Sequence, residues 1–251
     1  MIGVPDSVDA LLFDLDGVLT PTATVHAAAW GELFDEFLRR RDGDGFRPFD
    51  RVTEYDDLVD GKPRIDGVRA FLAARQIDLP EGSPDDGPDA DTVYGLAARK
   101  DGIFLAKVKH DGVKPYPGTV RYLRAARAAG KRTAVVSSSR NCREIVESAG
   151  LAEYLDVRVD GVTAARDSLR GKPEPDTFLA AARQLGSAPD RAAVFEDATA
   201  GVAAGRAGSF GYVVGLDRVD HDGEHEHGDA LREHGADIVV SDLADLLEDG
   251  S

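Results

Sequence analysis

"LLFDLDGVLTPT", Leu11 to Thr22, decides how the rest of the chain is read. An apolar run ends at Asp14, a second carboxylate follows at Asp16, and Gly17 opens a turn. Ala10–Asp14 is short, apolar and closed by a turn, which predicts a buried strand. Two negative charges at the end of such a strand are costly unless something compensates them. The remaining sequence must supply the compensation and a chemistry that needs the pair.

Downstream the texture becomes helical. Trp30, Leu33, Phe34, Phe37 and Leu38 keep helical spacing up to "RRRDGDG" (Arg39–Gly45), and Ile65, Val68, Phe71 and Leu72 mark a second helix. "LPEGSPDDGPD" (Leu79–Asp89) is a loop of breakers, and a third helix is predicted from about Thr92 to Val108. Residues 21–109 therefore read as a helical domain inserted after the first strand. After "KPYPG" (Lys114–Gly118) helices and strands alternate: "RTAVVSSS", "DVRVD", "AAVFED", "FGYVVG" and "ADIVVSD" are the strands. Such alternation predicts an α/β core, residues 1–20 and 110–251, with a parallel sheet and helices on both faces. Ligands of such sheets bind beyond the carboxyl ends of the strands, where Asp14, Ser137 and the pair Glu196-Asp197 all fall.

Composition narrows the function. The chain has 251 residues, 42% of them hydrophobic, and a net charge of -16. A core is affordable, and the acid excess argues against a nucleic-acid partner without excluding an anionic small molecule held by local basic groups. The single cysteine, Cys142, excludes an intrachain disulfide and a thiolate metal cluster, and it is given no role. No apolar run approaches membrane-spanning length, and the start lacks a basic segment followed by an apolar one. These features predict a soluble cytoplasmic protein without a membrane partner. "VDHDGEHEHGDALREHG" (Val219–Gly235) holds four of the six histidines, but irregularly and among acids, which predicts a solvated loop.

Four pieces converge on the strand ends. They are Asp14 with Asp16; Ser137 with Ser138, Ser139 and Arg140 where a helix begins; Lys172 in the proline-stiffened "GKPEPD"; and Glu196-Asp197. Hydroxyls and amides at a helix start suit an anion. Carboxylates alone would repel phosphate, so a hard divalent cation such as Mg2+ is the natural compensator, with Asp14, Asp16, Glu196 and Asp197 as its expected ligands. One aspartate can then attack phosphorus while Lys172 and the serine turn hold the other oxygens, and the second can move the proton.

"DLDGVLT", the turn at Ser137, "GKPEPD" and "EDATAG" together resemble the haloacid dehalogenase (HAD) superfamily, in this order and over essentially the whole chain. The resemblance implies a Rossmann-like core in which Asp14 becomes an aspartyl-phosphate and Asp16 is the acid–base, with the helical insert as a mobile cap. Within the superfamily, "FDLDGVLTPTATVHAAAW" is similar to the β-phosphoglucomutase subfamily, whose threonine and histidine correspond to Thr22 and His26. "VDGKPRIDGV" maps that subfamily's phosphate-binding glycine and arginine onto Gly61 and Arg64. "LAARKDGIF" maps its cap lysine onto Lys100, and "SSSRN" its serine turn onto Ser137 through Asn141. Arg140 stands where the subfamily has lysine, Pro21 where it often has an acid, and the Leu79–Asp89 loop is longer.

The implied reaction interconverts β-glucose 1-phosphate and glucose 6-phosphate through glucose 1,6-bisphosphate, and a monomer is expected. The rivals are a sugar-phosphate phosphatase on the same scaffold and a catalytically silent sugar-phosphate sensor. Each residue also has a plain structural reading: His26 and Trp30 share a helical face and suit a core, Arg64 could support its helix, Lys100 could be solvated, and Ser137 could cap.

Overall fold

Ala10–Phe13 forms strand β1, with all four side chains buried. The structure is a computed structural model that describes residues 2–218 and 226–247. Helices α1 (Thr22–Asp42), α2 (Thr53–Leu58), α3 (Arg64–Ala74) and α4 (Val93–Asp111) follow β1. The chain then alternates through α5 (Pro117–Ala128), β2 (Arg132–Val136), α6 (Cys142–Ser148), β3 (Val157–Val159), α7 (Gly161–Asp167) and α8 (Asp176–Leu185). It ends with β4 (Ala192–Glu196), α9 (Thr199–Ala207), β5 (Tyr212–Leu216), α10 (Glu226–Glu233) and β6 (Ile238–Val240). Two compact units result, Met1–Pro21 with Val113–Ser251, and Thr22–Gly112.

In the first unit all the strand pairings are parallel, in the order β3-β2-β1-β4-β5-β6. This is the Rossmann-like order, and helices cover both faces. Side chains alternate along each strand. Ala10 and Leu12 join Val136, Phe178, Val194 and Val202 in one layer. Phe13 points to the other, stacked on Phe195 at 4.5 Å and edge-on to Tyr122 of α5 at 6.0 Å. The chain winds outward from β1 through β2 and β3, then returns to β4 on the other side. The carboxyl ends of β1, β2 and β4 therefore flank the point where the winding reverses, which is where such sheets leave a crevice.

The second unit is helical with its own core. Trp30, Leu33 and Phe34 of α1 pack with Val68 and Phe71 of α3 and Leu96 of α4. Phe34 stacks on Phe71 at 3.6 Å between ring centres and on Trp30 at 5.1 Å. Burying side chains of this size is worth roughly 1.5–3 kcal/mol each. Thr92 starts α4 as an N-cap, its hydroxyl accepting the Gly95 N–H at 3.0 Å.

The histidine-rich stretch departs from expectation. Glu226–Glu233 is a helix rather than a solvated loop, and Leu231, fully buried, docks it onto the core. One apolar anchor on an otherwise polar segment is too weak a periodic signal to read from sequence. Residues 219–225 of the same stretch lie outside the described residues.

Candidate active site

Strand ends place the acids. Asp14 follows β1 and extends its ladder, its N–H donating to the Phe195 carbonyl at 2.9 Å. Glu196 is the last residue of β4 and Asp197 the next. Lys172 comes from the turn between α7 and α8. Its Nζ donates to Asp14 Oδ1 and to Glu196 Oε1, and reaches the Val136 carbonyl at 3.4 Å. Asp14, Lys172 and Glu196 are all buried, at 6%, 4% and 0% exposure, so these are interior charges rather than a solvated surface cluster. Asp14 Oδ2 accepts the Asp16 N–H at 2.8 Å, and Glu196 Oε2 accepts the Ala198 N–H at 3.1 Å.

Two glycines make room. Gly17 has φ +83°, which an L side chain rarely adopts, and a Cβ there would run into the Asp197 carboxylate. A Cβ on Gly201, in the first turn of α9, would run into the carboxylate of Glu196.

Burial pushes the Asp14 carboxyl well above the usual carboxylate range; the Lys172 ammonium pulls it down, and the charges of Glu196 and Asp16 push it up again. For Lys172 burial disfavours the charge, but Asp14 and Glu196 outweigh it and hold the amine protonated, above its usual range. Oxygens of Asp14, Glu196 and Asp197 lie within 4.8 Å of one another. Three carboxylates against one ammonium leave two formal negative charges. A hard divalent cation fits both that deficit and the all-oxygen donor set. Of the four acids expected as ligands, the structure gathers these three; the carboxylate of Asp16, partly exposed in the turn beyond, is not in that group.

The serine turn is partly engaged with itself. Ser137 is buried at the end of β2, its N–H donating to the Val159 carbonyl at 3.0 Å. Its hydroxyl accepts the Ser139 N–H at 3.1 Å, and the Ser139 hydroxyl accepts the Asn141 N–H at 3.2 Å. Two amides expected to be open to an anion are thus occupied. Ser138 and Asn141 are half-buried, and Arg140 is exposed.

In the helical unit, Thr22 is the buried first residue of α1. His26, one turn on, stacks on Phe104 at 4.0 Å, and its Nδ1 is 2.5 Å from Lys100 Nζ. Lys100 is 3% exposed and lies over the rings of Trp30 (5.0 Å) and Phe104 (4.9 Å), so it is not the solvated helix charge its sequence position allowed. Arg64 opens α3 and pairs with Asp101 through NH1; its Nε is buried and has no hydrogen-bond partner among the described residues. Gly61 takes φ +65° in the turn before α3.

The family described as haloacid dehalogenase-like hydrolase matches residues 8–208. The chain belongs to this family. It is 51% identical over 250 residues to a β-phosphoglucomutase of Mycobacterium bovis, covering 98% of this chain and 94% of that one. To a β-phosphoglucomutase of Bacillus subtilis it is 30% identical over 241 residues, with 94% and 91% covered. A solved β-phosphoglucomutase structure from Clostridium difficile shares the fold at a TM-score of 0.73 and 22% identity, over 96% of this chain and 93% of that chain. The protein is thus a HAD-family enzyme of the β-phosphoglucomutase-like group.

Two further residues of this HAD enzyme meet the site without having been singled out in the sequence. His227 of α10 places Nε2 2.9 Å from the Asp197 carbonyl. Arg218, two residues past β5, donates from Nε to the Gly17 carbonyl at 2.9 Å and from NH2 to the Val18 carbonyl at 3.3 Å. The strand-end rule that flagged Asp14 and Glu196 also covers Arg218, but a lone arginine after a strand carries no motif.

Proposed function

We propose that the enzyme is a Mg2+-dependent phosphotransferase that converts β-glucose 1-phosphate to glucose 6-phosphate through an aspartyl-phosphate on Asp14. The observation that carries the chemistry is the buried Asp14 carboxylate bonded to Lys172 and grouped with Glu196 and Asp197. The 51% identity to a β-phosphoglucomutase supports the mutase outcome. Asp14, Glu196 and Asp197 would hold the ion, which when bound supplies positive charge against the carboxylates and the phosphoryl oxygens.

Asp14 attacks phosphorus as the phosphoryl group's bond to its donor oxygen breaks. Asp16, outside the carboxylate trio, gives its proton to that oxygen when a sugar hydroxyl leaves, and takes one when a sugar hydroxyl attacks. Lys172 and the turn of Ser137, Ser138 and Arg140 offset the charge of the transferred group. Asn141, Thr22, His26, Gly61, Arg64 and Lys100 are assigned to substrate, with Arg64 and Lys100 taking the phosphate that is not reacting. A bisphosphate can then return either phosphate to Asp14, which is what a mutase requires.

The test supplies β-glucose 1-phosphate with Mg2+ and a trace of glucose 1,6-bisphosphate. Glucose 6-phosphate should accumulate without free phosphate. Steady release of inorganic phosphate would instead make the enzyme a phosphatase, the reading that the family's description as hydrolases favours. Asp14→Asn should lower turnover by on the order of 10^4 or more, because the nucleophile is gone. A sensor would show no turnover to lose.

A further inference from the structure

Arg218 is the most heavily used side chain near the site that the chemistry above leaves without a task. Besides the Gly17 and Val18 carbonyls, NH1 binds Asp242 Oδ2 at 2.6 Å and the Ser241 carbonyl at 3.2 Å. Its guanidinium lies 3.7 Å from the centre of the Tyr116 ring, and the side chain is 14% exposed. Guanidinium, carbonyls, carboxylate and ring all belong to the α/β unit.

The turn it touches is the one that carries Asp16. Internally the turn is closed by the Gly17 N–H on the Thr20 carbonyl at 2.8 Å and by the Leu19 and Thr20 N–H groups on the Leu15 carbonyl at 3.0 Å each. Those bonds do not use the Gly17 and Val18 carbonyls; Arg218 donates to both, and Thr119 Oγ1 also donates to Val18 at 3.3 Å. Asp16 is thereby held from two sides. Its own N–H is fixed on Asp14 Oδ2, and the carbonyl of the following residue, Gly17, accepts from Arg218. Glycine at 17 tolerates many backbone conformations, and Arg218 adds an external brace to the turn's own hydrogen bonds. The planar fork of arginine spreads its donors over three nitrogens, so Nε, NH1 and NH2 each reach a different segment here, whereas lysine gathers its three donors on one nitrogen.

We propose that Arg218 is a positioning residue that sets the backbone of the Asp14–Thr20 turn so that the Asp16 carboxyl meets the oxygen of the departing or attacking sugar hydroxyl. This rests on the reading of Asp16 as the acid–base. Proton delivery matters in proportion to how poor the leaving group is. A sugar oxygen must be protonated as its bond to phosphorus breaks, whereas p-nitrophenolate leaves without a proton. A misplaced Asp16 should therefore slow transfer from a sugar phosphate and spare transfer from p-nitrophenyl phosphate to Asp14.

The experiment compares wild type, Arg218→Met, Arg218→Lys and Asp242→Asn, each with Mg2+. Steady-state turnover of β-glucose 1-phosphate and the single-turnover burst of p-nitrophenol from p-nitrophenyl phosphate are measured. Arg218→Met should lower kcat for the sugar phosphate by roughly 10- to 100-fold, with KM and the p-nitrophenol burst within about threefold of wild type. Arg218→Lys should recover part of the loss, and Asp242→Asn, whose Oδ1 can still accept the Ala244 N–H while the charge facing Arg218 is gone, should show a smaller loss in the same sense. The two milder variants keep the test readable if Arg218→Met does not fold. Parallel loss on both substrates, or no loss on the sugar phosphate, would overturn the proposal. Failure of the underlying functional reading shows instead in wild type, as a p-nitrophenol burst without turnover of β-glucose 1-phosphate, and would overturn both.

Discussion

Lys172 is the residue on which the buried charges depend. Its ammonium is the basic side chain shared by Asp14 and Glu196, and all three are nearly shut off from solvent. A buried pair is weak evidence of net stabilisation, but removing one partner leaves the other as an uncompensated interior charge. Lys172→Met should therefore destabilise the α/β unit by on the order of 3–5 kcal/mol in the absence of metal, read as a lower urea midpoint at unchanged slope. Added Mg2+ should recover part of this if the acids hold the ion, and an unchanged midpoint in the variant would refute the assignment. The same residue explains why proline flanks it: Pro173 and Pro175 stiffen the turn that must carry a lysine into the interior.

At the scale of elements, one carboxylate ties α2 to the end of α3 and to the segment before α2. Glu54 of α2 accepts from Arg75 Nε and NH2 at 2.7 Å each, and from the Asp50 N–H at 2.9 Å. Arg75, just past α3, also donates to the carbonyls of Arg47 at 3.0 Å and Pro48 at 2.8 Å. The pair thus joins α2, the end of α3 and the segment before α2, and it is mostly buried, with side-chain exposures of 11% and 12%. The hydrogen bonds from Arg75 hold the Glu54 carboxyl below its usual range against the opposing effect of burial, and the Asp50 N–H adds to the lowering. A carboxyl depressed on folding stabilises above its unfolded pKa, about 4.3, and that stability fades as pH falls through the folded value. Glu54→Gln should cost about 1.5–3 kcal/mol at pH 7. Urea titrations at pH 7 and pH 3 should show the gap between variant and wild type narrowing at the lower pH, and a constant gap would deny the charge any part in it.

For the molecule as a whole, the net charge of -16 sets a field that attracts cations and repels phosphate esters. The acid trio at the sheet edge is where that field has a defined use. Binding to the folded state alone raises stability by RT ln(1 + [L]/Kd), about 2.7 kcal/mol at a hundred times Kd. Mg2+ added to protein stripped with EDTA should therefore raise the melting temperature of the α/β unit by roughly 5–10 °C and restore activity. Glu196→Gln should blunt the shift, while an equal rise in that variant would place the ion elsewhere.

The α/β class and the strands that carry the acids follow from local pattern, because a period of two and a period of 3.6 are written into consecutive residues. Asp14, Ser137 and Glu196-Asp197 could be placed at strand ends for that reason alone. The helix at Glu226–Glu233 could not, because its apolar side rests chiefly on Leu231. Neither could the depth of Lys100, since a lysine on a helix face reads as solvated until Trp30 and Phe104 are seen to cover it. What joins Lys172 to Asp14 is a contact across 158 residues, and what joins Arg218 to Gly17 spans 201. Contacts at such separations depend on the strand order, which puts β1 between β2 and β4 and brings the end of β5 within reach of the first turn. The sequence by itself determined which chemical groups stand at the strand ends; the tertiary structure alone decided which of them touch, because that depends on how distant segments pack and no local period encodes it.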